Sequence, residues 1–188
     1  MKPPPPTAGE TLLHSEGAEF LVLGQLLIRG VHASKGYTRY PGWDILASNP
    51  SGNRTCRIQV KARLASDYDG GFTIKNFDAE FVVLVALNRG FRYRRSQRVP
   101  LDDGIRDPEF YVFPMTVIAD AAVGAPTWGK SSKVYRRHIE DCDAYKGAWQ
   151  LIVDQLLEPR DPVAASSRPR RGAGTRSSAA AARMSSSA

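Results

Sequence analysis

The chain has 188 residues, 42% of them apolar, which suits one domain with a proper core and supplies no apolar run near the roughly 18–20 residues of a membrane span. Its net charge of +7 does not by itself imply a nucleic-acid partner, because residues 159–188 hold six arginines against Asp161 alone and so carry five of the seven charges. Two cysteines, Cys56 and Cys142, cannot make a four-cysteine zinc site; with no apolar secretory core after Met1-Lys2-Pro3-Pro4-Pro5-Pro6, they read as reduced thiols of a cytoplasmic protein.

Residues 1–10 are proline-rich and aperiodic, and are expected to form a disordered lead to a domain spanning 11–158. From Thr11 to Arg29 the pattern turns helical, with Gly30 as the C-terminal cap. Leu12, Phe20, Leu23, Leu26 and Leu27 recur at helical spacing and are expected to face the core. Glu16 suits the first turn, where a negative charge complements the dipole. Glu19 borders the inward stripe, where a carboxylate is costly unless paired, solvated by a cleft or bound to a cation.

Val31 to Thr38 predicts a first strand and loop, with Lys35, Arg39 and Tyr40 ahead of Pro41. The most informative stretch follows, from Trp43 to Arg63. Trp43-Asp44-Ile45-Leu46-Ala47 and Arg57-Ile58-Gln59-Val60-Lys61-Ala62 read as two strands joined by a turn at Asn49-Pro50-Ser51-Gly52-Asn53. Side chains alternate along a strand, so Gln59 and Lys61 share one face and Ile58 and Val60 the other. An acid, an amide and an amine thus leave adjacent strands of one hairpin, a grouping that stability alone seldom requires. The competing reading makes Asp44 the cross-strand ion-pair partner of Arg57 or Lys61, with Gln59 and Lys61 on a solvated edge.

A loop at Asp67-Tyr68-Asp69-Gly70-Gly71 precedes a short strand, Phe72-Thr73-Ile74. Phe81 to Leu87 is apolar throughout, as expected of a strand covered on both faces, with helices on both sides of the sheet. Arg89, Arg92, Arg94, Arg95 and Arg98, interleaved with Phe91 and Tyr93, form either a phosphate-facing loop or a solvated hairpin tip. Phe110 to Pro114 reads as a strand closed by proline, and Met115 to Val123 as a weak helix. A stronger helix is expected from Asp143 to Leu157, its core stripe Tyr145, Trp149, Ile152 and Leu156. Residues 159–188, rich in Ser, Ala and Arg, cannot bury enough surface to fold and are expected to be disordered.

The order of these parts, a helix with Glu19, a strand opened by Asp44, then Gln59-Val60-Lys61 and an apolar strand, resembles the PD-(D/E)XK nuclease superfamily. The likeness is to its small members similar to Holliday-junction resolvases and uncharacterised restriction-like endonucleases, and it covers Leu12 to Pro114. Two positions depart from the pattern: the proline falls at Pro41 instead of beside Asp44, and Gln59 stands where the superfamily usually has Asp or Glu. An amide oxygen still binds a hard cation, but without charge, so weaker metal affinity is expected.

The resemblance implies an α/β fold of restriction-endonuclease type, a mixed central sheet with helices on both faces built on an α-β-β-β-α-β core. It implies a metal-dependent endonuclease hydrolysing DNA phosphodiester bonds, with Mg²⁺ (or Mn²⁺) held by Asp44, Gln59 and Glu19. Lys61 would orient the attacking water or stabilise charge on the phosphate. Lys35, Arg39, Lys75, Arg92, Arg94 and Arg95 would contact the DNA backbone without reading sequence. A homodimer is open, since cutting both strands commonly requires two active sites. The alternative is a catalytically inactive nucleic-acid-binding or assembly module on the same fold, with Gln59 as the trace of lost catalysis.

Overall fold

The computed structural model describes residues 8–36, 42–66, 71–94, 97–122, 126–128 and 131–157. The chain divides after Glu158, and only its first unit holds described residues; the basic segment expected to be disordered lies outside them. Helix α1 (Ala8–Leu27) leads into β1 (His32–Lys35), β2 (Ile45–Ser48) and β3 (Thr55–Arg63). Then come β4 (Phe72–Ile74), β5 (Phe81–Ala86), β6 (Arg89–Arg94), β7 (Gln97–Ile105) and β8 (Glu109–Pro114). The rest comprises α2 (Met115–Ala122), β9 (Pro126–Trp128), β10 (Ser131–Val134), two short 3₁₀ helices (Arg136–His138 and Cys142–Tyr145) and α3 (Gln150–Leu157).

The central sheet runs β1-β2-β3-β5-β8 and is mixed: β3 and β5 are parallel, all other neighbours antiparallel. Helices α1 and α3 cover one face, where Ala18, Val22, Leu26, Trp149, Ile152 and Leu156 meet Ile45, Ile58, Val83 and Val85. Helix α2 and β10 cover the other, packing on Val82, Leu84, Tyr111 and Phe113. Strand β5 is buried along its whole length, as its unbroken apolar run predicts. Burying each such side chain contributes about 1.5–3 kcal/mol, so this strand anchors both layers.

Four expectations are corrected. Helix α1 starts at Ala8, three residues earlier than read, with Glu10 in its first turn. Its core stripe is Ala18, Val22 and Leu26, with Leu23 partly buried; Leu12, Phe20 and Leu27 face outward. The helix is apolar on two sides, and periodicity reveals a stripe without saying which stripe is covered. The crossover from β3 to β5 shows no helix among its described residues, only β4, and the second helix comes after β8. The single helix expected over 143–157 is broken at Gly147, whose φ of +63° and N–H bond to the Phe110 carbonyl turn the chain onto the edge of β8. Trp149, Ile152 and Leu156 are buried as expected, while Tyr145 packs on Phe113 across the sheet.

Candidate metal centre

Asp44 stands immediately before β2. Its backbone N–H donates to the Ile58 carbonyl (2.9 Å), and its own carbonyl accepts from the Gly36 N–H (2.7 Å). The backbone ladder between β2 and β3 stops at Ile45–Ile58, and the Asp44 side chain extends it: Oδ2 accepts the Val60 N–H at 2.7 Å. A carboxylate bonded to a strand amide is held in place without spending its second oxygen.

Gln59 and Lys61 leave β3 on the face opposite Ile58 and Val60, level with Val82 and Leu84 of β5. Gln59 is only 8% exposed, and its Oε1 has no hydrogen-bond partner. A buried acceptor left unpaired costs about 1–3 kcal/mol, so this oxygen marks a place where a donor or cation fits. Lys61 is half-buried and forms no ion pair among the described residues. Burial lowers its pKa from the ordinary lysine value, the Asp44 charge opposes that shift, and the Lys75 charge adds to it.

Glu19 projects from α1, on the other layer, where Lys35 of β1 pairs with it at 3.0 Å. Burial raises its pKa; the hydrogen bond from Lys35 opposes the shift and the Asp44 charge reinforces it. Gln59 and Lys61 share the face of the sheet that α2 covers, beside Asp44 on the neighbouring strand, whereas Glu19 comes from α1 on the opposite face.

Lys35, expected to contact the DNA backbone, has its Nζ 3.0 Å from Glu19 and also pairs with Glu16. Glu16, read as a first-turn charge, is that lysine's second partner. Arg57, a competing partner for Asp44, is occupied by Glu80, with a guanidinium contact at 2.7 Å and its backbone N–H at 2.6 Å. Lys75 is exposed beside the site, and Arg92 is exposed on the two-stranded β6–β7 ribbon. Arg39, Arg95 and the side chain of Arg94 lie outside the described residues.

One neighbour was not legible in the sequence. Asn76, in the loop after β4, has a buried Oδ1 with no hydrogen-bond partner and lies against Gly42, two residues before Asp44. Gly42 has φ +110°, and a Cβ there would come within 2.5 Å of the Asn76 amide. Gly42→Ala is thus expected to displace the entry to β2, lowering thermal stability by about 1–3 kcal/mol and cutting any activity that depends on Asp44. Thermal melts of Gly42→Ala alone and combined with Asn76→Ala check this: the second change should relieve the clash but not the backbone strain.

The donors fit a hard divalent ion in kind. Asp44 and Glu19 supply carboxylates and Gln59 a buried amide oxygen, all ligands such ions accept. Among the described residues no three His, Cys, Asp or Glu side chains form a metal-binding group, so any such site needs the amide. The two cysteines are free and buried; burial pushes the Cys56 thiol up to about 12.

No protein-family profile and no curated protein matches the sequence. Among solved structures, the chain is similar to a bacterial homing endonuclease at 20% identity and a TM-score of 0.46, over 77% of this chain and 93% of that one. It is also similar to a Holliday junction resolvase from Archaeoglobus fulgidus at 18% identity and a TM-score of 0.36, over 64% of this chain and 89% of that one.

Proposed function

We propose that the chain is a metal-dependent endonuclease of the PD-(D/E)XK type, hydrolysing phosphodiester bonds in DNA, with residues 11–158 as the nuclease domain. The observation that carries this reading is the unpartnered Gln59 Oε1, buried on the strand beside Asp44 with Lys61 two residues away on the same face. Asp44, Gln59 and Glu19 would hold Mg²⁺ or Mn²⁺; such an ion, when bound, withdraws charge from a phosphate and acidifies a bound water. Lys61 offers a cation to the phosphate from a rigid strand, where partial desolvation strengthens its field. Lys75 and Arg92, both exposed, supply backbone contacts that position the duplex. Two buried free thiols suit a reducing compartment, which we take to be the cytoplasm. Among the described residues no helix is long and apolar enough to cross a membrane.

Incubating purified protein with supercoiled plasmid and Mg²⁺ or Mn²⁺ tests the reading, with Lys61→Ala as control. Nicking or linearisation that the variant loses supports it; salt-sensitive DNA binding without cleavage under either ion supports the inactive binding module instead. The pH profile adds a signature. The folded-state pKa of Lys61 is lowered, so its proton is lost at lower pH than from a free lysine (10.5). Cleavage that needs the Lys61 charge should therefore decline on the alkaline side before that value. Lys61→Arg, which stays protonated, should move the decline to higher pH whatever its absolute rate.

A further inference from the structure

The outward side of α1 carries an exposed apolar seam, touched within the chain by Lys35, whose Nζ lies 5.0 Å from the centre of the Phe20 ring. Leu13, Gly17, Phe20, Gly24 and Leu27 follow one another at spacings of four, three, four and three residues, the stripe that faces a partner in helix pairing. Leu21 and Ile28, seven residues apart, flank it. Leu13 is 71% exposed, Phe20 60%, Leu27 50%, Ile28 75% and Leu21 39%. Nothing lies within 4 Å of where a Cβ would stand on Gly17 or Gly24, so the backbone is open to close approach at both.

We propose that this face pairs with α1 of a second copy, antiparallel about a two-fold axis at Phe20. The seam reads Leu-Gly-Phe-Gly-Leu in either direction, so reversing the partner sets Leu13 against Leu27, Gly17 against Gly24 and Phe20 at the axis. Each Phe20 ring then has the partner's glycines beside it, a large group entering a gap between small ones. The five exposures amount to about three fully exposed large side chains, roughly 600 Å² per copy at about 200 Å² each. Two copies together bury roughly 1,200 Å², above the ~1,000 Å² that a specific interface needs. The terminal segments are poor alternatives: residues 1–7 have Met1 as their one large apolar side chain, and 159–188 offer only Val163 and Met184. A second copy of α1 supplies a complementary apolar stripe of equal length. This inference stands apart from the nuclease reading.

Sedimentation or light scattering of the full chain across the micromolar range should show a concentration-dependent dimer. Leu13→Glu with Leu27→Glu should abolish it while leaving far-UV circular dichroism and the thermal midpoint of the monomer unchanged, because both side chains are exposed and neither is in the core. Orientation is read by disulfide trapping, which the buried Cys56 and Cys142 do not disturb. A mixture of Gly17→Cys and Gly24→Cys chains should cross-link between the two, whereas Gly17→Cys alone should not. A monomeric wild-type chain, a dimer that survives the double glutamate variant, or self-cross-linking of Gly17→Cys would each overturn the proposal.

Discussion

Asp44→Asn is expected to lower plasmid cleavage by about 10²–10³-fold while leaving the fold intact. The asparagine oxygen still accepts the Val60 N–H that Asp44 Oδ2 accepts at 2.7 Å, so the end of β2 stays in place. What is lost is the negative charge that opposes the lowering of the Lys61 pKa and adds to the raising of that of Glu19. Asp44→Ala removes the acceptor as well and should cost a further ~1.5–3 kcal/mol, the worth of a hydrogen bond to a charged group. In a domain of this size that is a drop of about 3–12 °C in thermal midpoint. Cleavage rates and thermal melts on both variants check the pair. If Asp44→Asn cuts DNA at the wild-type rate, Asp44 is a structural cap and the site reading fails.

Gln59 yields the second large effect, and it concerns stability more than rate. Gln59→Leu removes an acceptor buried without a partner and should stabilise the metal-free protein by about 1–3 kcal/mol. The same change should abolish any rise in thermal midpoint on adding Mg²⁺ or Mn²⁺. That rise in the wild type corresponds to about 2.7 kcal/mol with the ion at one hundred times its dissociation constant. Gln59→Glu should do the reverse. A new carboxylate buried beside Asp44 lowers the midpoint without metal, and binding the ion then raises it by more than in the wild type, because charge supplements the amide dipole. Melts of the three proteins with and without each ion are decisive. If Gln59→Leu melts lower than wild type without metal, Gln59 is a satisfied structural amide, and the strongest support for a cation site disappears.

These expectations are linked by the acid of α1. The folded-state pKa of Glu19 is raised, chiefly by burial, so the native state holds its proton more tightly than the unfolded chain does. Its ionisation therefore opposes folding as pH rises through the carboxylate range, and a cation that binds the ionised form offsets that cost. Metal affinity should accordingly strengthen with pH over that range, as titration calorimetry at several pH values would show.

Local chemistry determined much of this protein. The unbroken apolar run at Phe81–Leu87 read as a strand covered on both faces, and alternation in β3 was enough to set Gln59 and Lys61 on one side and Ile58 and Val60 on the other. Turn residues at Asn49–Asn53 fixed the hairpin that carries Asp44 beside them. Tertiary packing decided what such patterns leave degenerate. Helix α1 has apolar residues on two sides, and only contact with the sheet selected Ala18, Val22 and Leu26 over Leu12, Phe20 and Leu27. Lys35 looked like a free cation until β1 packed beside α1 and placed it between Glu16 and Glu19. Asn76 gave no signal, because a loop amide becomes part of a site only when the chain brings Gly42 against it. Periodicity encodes which residues can share a face; which face is buried, and which charges become neighbours, depends on segments far apart in the chain.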